Sequence, residues 1–111
     1  MEATRKMLGD NPEITAIFAT DDLKAIAALE VLHQMGKRLP QDVSVIGFDN
    51  FDISQIVHPK LTTIEVPIVQ MGYQATNMLI SLIEGEEVPE KHIIMDTKLI
   101  ERESVSEVCA Q

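Results

Sequence analysis

Residues 17–22 read Ile-Phe-Ala-Thr-Asp-Asp, and residues 45–50 read Val-Ile-Gly-Phe-Asp-Asn. Each stretch is an apolar run that stops at carboxylates, and a helix-like segment lies between them. This order predicts two strands that pair in parallel through a right-handed helical crossover. We therefore predict an α/β fold in which a parallel sheet is flanked by helices. Both acidic ends then open onto the carboxyl edge of the sheet, where open α/β folds bind ligands.

The size and charge of the chain exclude several classes of protein. Its 111 residues allow one modest core, and a hydrophobic content of 45% predicts a folded chain rather than a disordered one. The net charge of −9 disfavours nucleic-acid binding by this chain, since it repels phosphate. No apolar run is long enough to span a membrane. The single Cys109 excludes an internal disulfide and fits a reducing compartment.

Hydrophobic periodicity and turn-forming residues predict the elements along the chain. Three helices are expected, at 1–9, from about 22 to 35, and from 67 to 84. Three strands are expected, at 15–19, 43–48 and 61–66, with one helical turn near 52–55. Two short strands, or one bent strand, are expected at 93–95 and 98–100. The charged tail is expected to fray after Val105.

Two of these helices carry an apolar stripe with helical spacing. The stripe of the second helix consists of Ala25, Ala28, Leu29, Leu32 and Met35. The stripe of the third helix consists of Ile68, Met71, Ala75, Met78, Leu79 and Leu82. Each stripe predicts the face that its helix packs against another layer.

The chain carries no recognisable catalytic or metal-binding motif. Its five glycines are scattered singly, so no phosphate-binding loop is present, and no nucleophile elbow occurs. The three histidines, His33, His58 and His92, lack metal-ligand spacing. We therefore expect no catalytic residue, no metal site and no cofactor.

The acids that end the first two strands have two interpretations. Asp21 or Asp22 can cap the following helix, and Asp49 with Asn50 can form a turn. Alternatively, the acids belong to a ligand site rich in hydrogen-bond acceptors. Because both clusters lie at the same predicted edge, we favour the site. The candidate ligand-binding residues are Asp21 and Asp49, with Thr20, Phe48 and Asn50 as further pocket residues.

Longer blocks of sequence resemble a known family. They read Leu-Pro-Gln-Asp-Val-Ser-Val-Ile-Gly-Phe-Asp-Asn at 39–50, Pro-Lys-Leu-Thr-Thr-Ile at 59–64 and Leu-Ile-Glu-Arg-Glu-Ser-Val at 99–105. Together they resemble the carboxyl-terminal part of LacI/GalR-family transcriptional regulators, over nearly the whole chain. The resemblance implies part of an effector domain like the periplasmic sugar-binding proteins. It also implies that the DNA-binding helix-turn-helix lies outside this chain.

The resemblance assigns roles to individual acids. It implies that Asp49 and Asp21 contact the effector, and that Asp22 is the structural acid that caps the helix. Asp21 departs from the Asn or Ser common in the family, which favours sugar hydroxyls or a cationic group over a phosphate. The implied partners are a small-molecule effector, such as a sugar or related metabolite, and operator DNA through the missing helix-turn-helix.

The resemblance also implies pieces of two lobes in a cytoplasmic homodimer. Residues 1–66 and 97–105 would belong to the carboxyl-side lobe, and residues 67–96 to the amino-side lobe. The stripe on the third helix would then lack its usual partner and stay exposed. The dimer would use the helix that begins near Asp22 and the segment at 57–64.

Two other functions compete with the sensing part of a transcriptional regulator. A soluble solute-binding protein of a sugar transport system shares the implied fold. An enzyme could use the aspartates as acid, base or metal ligands. No nucleophile–base pair accompanies these acids in the sequence, so we expect that the chain is not an enzyme.

Overall fold

The computed structural model describes residues 1–108, and its helices and strands follow the predicted order. The helices are α1 (Glu2–Asp10), α2 (Asp22–Gln34) and α3 (Ile68–Ile83), with a 3-10 turn at Asp52–Gln55. The strands are β1 (Ala16–Phe18), β2 (Ser44–Ile46), β3 (Thr63–Glu65) and β4 (Lys98–Ile100). None of these helices is long and apolar enough to cross a bilayer. Cys109 lies outside the described residues.

The sheet contains the predicted parallel pair. Strand β1 pairs with β2 in parallel, with Ile17 opposite Val45. A parallel bridge between Ile46 and Thr62 then joins β2 to the segment that leads into β3. Because the helix α2 connects β1 to β2, the predicted α/β fold with a parallel sheet flanked by helices is confirmed.

The sequence predicted the last strand, at 98–100, but not its partner. Strand β4 pairs with β3 in the antiparallel sense, and Glu65 stands opposite Lys98. The predicted strand at 93–95 is wrong, because this segment has no strand partner among the described residues. Its Ile94 side chain is 97% exposed, so no neighbouring layer holds it.

The core lies between α2 and the parallel strands. Most of the apolar stripe of α2 is buried, as predicted, but Met35 lies beyond the helix end and is 39% exposed. The core cluster contains seven side chains: Leu8, Ala25, Leu29, Leu32, Val43, Val45 and Leu61. Burying such aliphatic side chains contributes roughly 1.5–3 kcal/mol each relative to water. This cluster therefore fixes the positions of the loops that follow β1 and β2.

Helix α3 stands apart from that core. None of its residues is buried, and its stripe residues Met71, Leu79 and Leu82 are about half exposed. The radius of gyration is 18.5 Å, whereas a compact chain of this length has about 13 Å. The molecule therefore consists of a compact body and a peripheral part, which contains α3 and the segment leading to β4.

The end of the chain is more ordered than predicted. Ser104 is 1% exposed, and its hydroxyl donates to the Val45 carbonyl at 2.5 Å. The Ser106 amide donates to Ser44 Oγ at 3.1 Å, and Ser44 Oγ donates back to the Ser106 carbonyl at 3.2 Å. The prediction that the tail frays after Val105 is therefore wrong for Ser106, because these bonds tie it to β2.

Candidate functional site

The loops that follow β1 and β2 are joined through Asp22. Its amide donates to the Phe48 carbonyl at 2.9 Å. Its fully buried carboxyl accepts from the Phe51 amide at 2.7 Å and from the Thr63 hydroxyl at 2.5 Å. Asp22 thus connects three separate segments at the carboxyl edge of the sheet. Buried hydrogen bonds of this kind are costly to break, since each donor would be left without a partner.

Gly47 allows this close approach. A Cβ atom at Gly47 would overlap Asp22 Oδ1 and would lie 2.9 Å from Leu61 Cδ2. The third nearest atom, Ala25 Cβ, would lie at 3.3 Å. Only glycine therefore lets the chain just after β2 pass so near the Asp22 carboxyl.

The cap of α2 is Asp21. Its backbone is extended, and its Oδ1 accepts from the Lys24 amide at 2.8 Å, which is the geometry of an N-cap. The prediction that Asp22 caps the helix is therefore wrong, because its carboxyl turns inward to Thr63 and Phe51. The second oxygen of Asp21 pairs with the Lys24 ammonium at 2.7 Å.

The turn that follows β2 has an unusual backbone. Asp49 has φ 109° and Asn50 has φ 60°, a left-handed region that non-glycine residues rarely adopt. The Asp49 amide donates to the Ile64 carbonyl at 2.9 Å. The half-buried Asp49 carboxylate makes no hydrogen bond or ion pair within residues 1–108. Strained backbone of this kind is concentrated at ligand sites.

The structure brings Asp21 and Asp49 to one edge of the sheet. The Asp22 amide donates to the Phe48 carbonyl and so joins the two loops. Asp21 precedes Asp22 and Asp49 follows Phe48, so both candidate acids lie next to this hydrogen bond. Thr20 lies beside Asp21 and accepts from the Lys24 ammonium at 2.8 Å. Three of the five candidate residues, Phe48, Asp49 and Asn50, therefore lie on the loop after β2, and the other two, Thr20 and Asp21, lie on the loop after β1.

Two further residues at this edge were missed by sequence reasoning. Glu65 forms a parallel bridge with Asp49, and its carboxylate accepts from Asn50 Nδ2 at 3.4 Å. Its position near the end of the third predicted strand could have indicated it. The Arg102 guanidinium donates to Asn50 Oδ1 at 2.7 Å. A single arginine in a charged tail gave no such signal.

Phe48 faces the peripheral part of the molecule. Its ring meets the Phe18 ring edge to face, with centroids 6.4 Å apart. It also lines an apolar groove of about 700 Å³, together with α3 side chains such as Met71 and Leu79 and with Ile93 of the following segment. Asp21 and Asp49 do not line this groove. Among residues 1–108, no cluster of His, Cys, Asp or Glu is arranged to hold a metal ion.

The match to a protein-family model covers nearly the whole chain. Residues 1–105 match the model of the periplasmic binding protein-like domain. The chain belongs to this family. Among curated relatives of this periplasmic binding protein-like domain is the ribose operon repressor of Halalkalibacterium halodurans, 38% identical over 103 residues. The alignment covers 93% of this chain and 31% of that repressor, so the chain spans about a third of its relative.

Solved structures agree with this assignment. The transcriptional regulator CelR in complex with cellobiose has a TM-score of 0.89 at 35% identity, covering 94% of this chain and 32% of that one. A LacI family transcriptional regulator from Enterococcus faecium with bound ribose has a TM-score of 0.78 at 31% identity, covering 95% of this chain and 39% of that one. The predicted resemblance to LacI-type regulators is therefore confirmed.

The ion pair between Asp21 and Lys24 at the N-cap of α2 gives a testable prediction. The hydrogen bond from the Lys24 ammonium holds the pKa of the Asp21 carboxyl below its ordinary value of 3.8. A lowered pKa in the folded state stabilises the fold above pH 3.8, and this contribution is lost as the pH falls through the lowered value. We expect Lys24→Met to raise the Asp21 pKa toward 3.8 in a carbon-13 NMR titration.

A second carboxyl serves as the control for this titration. The pKa of Asp42 is also lowered, chiefly by hydrogen bonding to the Arg38 side chain, which lies at another surface. It should not move in Lys24→Met. An unchanged Asp21 pKa in the variant would contradict the role given to Lys24.

Proposed function

We propose that this domain is the effector-sensing part of a LacI-type transcriptional regulator and that its effector is a sugar. The unpartnered Asp49 carboxylate, held on a left-handed turn at the carboxyl edge of a parallel sheet, is the observation that carries the proposal. A carboxylate with free lone pairs accepts hydrogen bonds from sugar hydroxyls. The relatives found with cellobiose and ribose support this class of ligand.

We assign the ligand contacts unequally between the two candidate acids. Asp49 is the principal contact, with Asn50 and Phe48 as neighbours in the pocket. Asp21 already uses one oxygen for the helix cap and the other for Lys24, so it has fewer free lone pairs. We therefore propose that Asp21 and Thr20 accept weaker, secondary hydrogen bonds at the border of the site.

Replacing Asp49 by asparagine tests the proposal. Asparagine has the same size and tolerates left-handed backbone, so the turn is retained while the charge is removed. We expect affinity for ribose or cellobiose to fall by about tenfold to hundredfold, since a hydrogen bond to a charged group contributes about 1.5–3 kcal/mol. Isothermal titration calorimetry on the intact protein measures this change.

The matched control is Asp52→Asn. Asp52 is an exposed acid on the 3-10 turn, three residues from Asp49, so this variant removes the same charge from the same region. Its affinity should stay within about twofold of the wild-type value, because solvent and salt screen exposed charges. Equal losses in both variants would show that general charge, and not Asp49, determines binding.

We propose that the body and the peripheral part belong to different lobes of the complete effector domain. Residues 1–66 and 97–105 would form the carboxyl-side lobe, and residues 67–96 would contribute to the amino-side lobe. The absence of any buried residue on α3 supports this division. The groove beside α3 would then receive the rest of the amino-side lobe.

We propose a homodimer formed through the body. The segment at 57–64 is less suitable than its sequence suggested, because Leu61, Thr62 and Thr63 are buried. The exposed apolar side chains nearby are Leu23, 59% exposed, and Ile56, 79% exposed.

Ile56→Asp should shift the protein to monomers in light scattering at micromolar concentration. Ile94→Asp, at a still more exposed site in the peripheral part, should not cause this shift, and a dimer in both variants would contradict the interface.

We propose that operator DNA is bound by a helix-turn-helix segment outside this sequence. The net charge of −9 supports this division of labour, since the domain itself repels phosphate. The complete protein would act in the cytoplasm, where its operator lies, and would sense its ligand without converting it. The regulatory roles named for its relatives support sensing rather than catalysis.

A further inference from the structure

Arg102 lies directly beneath the turn that carries Asp49. Its backbone is fixed first, because its amide donates to the hydroxyl of the buried Thr62 at 2.9 Å. Its guanidinium then donates to three oxygens, Ser54 Oγ at 2.7 Å, the Leu61 carbonyl at 2.9 Å and Asn50 Oδ1 at 2.7 Å. The side chain is half-buried, so these bonds are partly shielded from water.

These contacts are not those of an ion pair. No carboxylate among residues 1–108 pairs with Arg102, whereas Arg38 pairs with Asp42. The planar guanidinium instead places its donors in a fixed fork that satisfies three neutral acceptors from three parts of the loop region. An arginine used in this way fixes the relative position of its acceptors. Here the acceptors belong to the turn, to the 3-10 segment and to the residues that lead into β3.

The turn needs such support. Two successive non-glycine residues in the left-handed region are strained, and they persist only where the surroundings hold them. Of the contacts that hold Asn50, its own amide bond to Thr63 Oγ1 is long, at 3.4 Å. The Arg102 bond to Asn50 Oδ1 is the shortest hydrogen bond that the Asn50 side chain makes within the described residues.

We propose that Arg102 is a positioning residue for Asp49: by holding Asn50 it keeps the turn left-handed and the Asp49 carboxylate free and aimed at the ligand. Arg102 lies two residues after the end of β4, the strand that returns from the peripheral part. The position of that strand is therefore transmitted to the turn. The ligand-binding consequence rests on the proposed function, whereas the effect on the turn does not.

Hydrogen exchange in the ligand-free intact protein tests the effect on the turn. Arg102→Met should accelerate exchange of the Asp49 and Phe51 amides about tenfold or more, while the Ala19 amide, which donates to the Ile46 carbonyl of β2, is unaffected. Arg102→Lys should lie between wild type and Arg102→Met, since an ammonium cannot reach all three acceptors. Arg38→Met, at an exposed arginine elsewhere, should leave all these amides unchanged. Uniform acceleration, or none, would overturn the proposal.

A double variant tests the route through Asn50. If Arg102 acts by holding Asn50, the second substitution should add little. The Asp49 and Phe51 amides should then exchange in the double variant Asn50→Ala, Arg102→Met at rates within about twofold of those in Asn50→Ala alone. Independent, additive accelerations would show that Arg102 acts on the turn by another path and would overturn this route.

Sugar affinity provides the readout that a merely structural role would not give. Ribose and cellobiose serve as probes. Arg102→Met should lower the affinity for the better-bound of these sugars about tenfold, but the same substitution should lower it less than about twofold in an Asp49→Ala background. Equal losses in both backgrounds would overturn the positioning role. If neither sugar binds the wild-type protein, the sugar proposal fails, and the exchange measurements still decide whether Arg102 holds the turn.

Discussion

Replacing Asp22 by alanine is expected to destabilise the fold by about 3–5 kcal/mol, because two buried donors lose their acceptor and a small cavity remains. The donors are the Phe51 amide and the Thr63 hydroxyl. Small domains have a total stability of about 5–15 kcal/mol, so this loss is severe. Urea denaturation followed by circular dichroism measures it.

Two further variants make this prediction specific. Asp22→Asn keeps one carbonyl oxygen as an acceptor but replaces the other with an NH2 group, which faces a donor. This variant should lose roughly half as much stability and remain folded. Asp42→Ala removes a partly exposed aspartate that accepts from the Arg38 amide and pairs with its side chain, and its denaturation midpoint should fall much less, because solvent reaches this pair. Similar losses for Asp22→Ala and Asp42→Ala would show that the buried network is not the cause.

Gly47→Ala should be the second most damaging change described for the body. The new methyl group would overlap Asp22 Oδ1 and press on Leu61 and Ala25. Overpacking of this kind costs about 1–3 kcal/mol, and we expect the upper part of that range because the obstructing carboxyl is held by two hydrogen bonds. The free energy of unfolding, measured in urea, gives the size of the effect.

Gly9→Ala is the matched control for added volume. Nothing lies within 4 Å of the Cβ position at Gly9, and the residue is helical, so alanine should be neutral or stabilising by about 0.5–1 kcal/mol. In an Asp22→Ala background, Gly47→Ala should cost less than in the wild type, since the main obstruction is gone. Additive losses there would mean that the clash with Asp22 is not the source.

The parallel pair could be predicted because its signal is local. The apolar runs at 15–19 and 43–48 and the stripe of α2 specify the crossover unit without reference to the rest of the chain. The antiparallel pairing of β4 with β3 could not be predicted in this way. It depends on contacts such as Ile64 with Leu99, which are distant in the sequence, and a three-residue strand carries too little pattern to identify its partner.

The acids show where local reasoning ends. Asp21 and Asp22 are equally good caps by type, so the sequence could not decide between them. The difference comes from Thr63, 41 residues further along the chain, whose hydroxyl donates to the Asp22 carboxyl in the interior. Asp21 therefore caps the helix. The same applies to Arg102, whose acceptor Asn50 lies 52 residues away. The edge that carries the site was predictable, but the network that holds it was not.

The antiparallel pair of β3 and β4 determines how the peripheral part is attached. The chain leaves the body at Glu65 and returns at Lys98, and these two residues are register partners. Departure and return are therefore side by side, as in a hairpin whose tip has grown into a helix and a long arm. In topological terms the arm is an insertion. Its length and composition can change without altering the order of strands in the body.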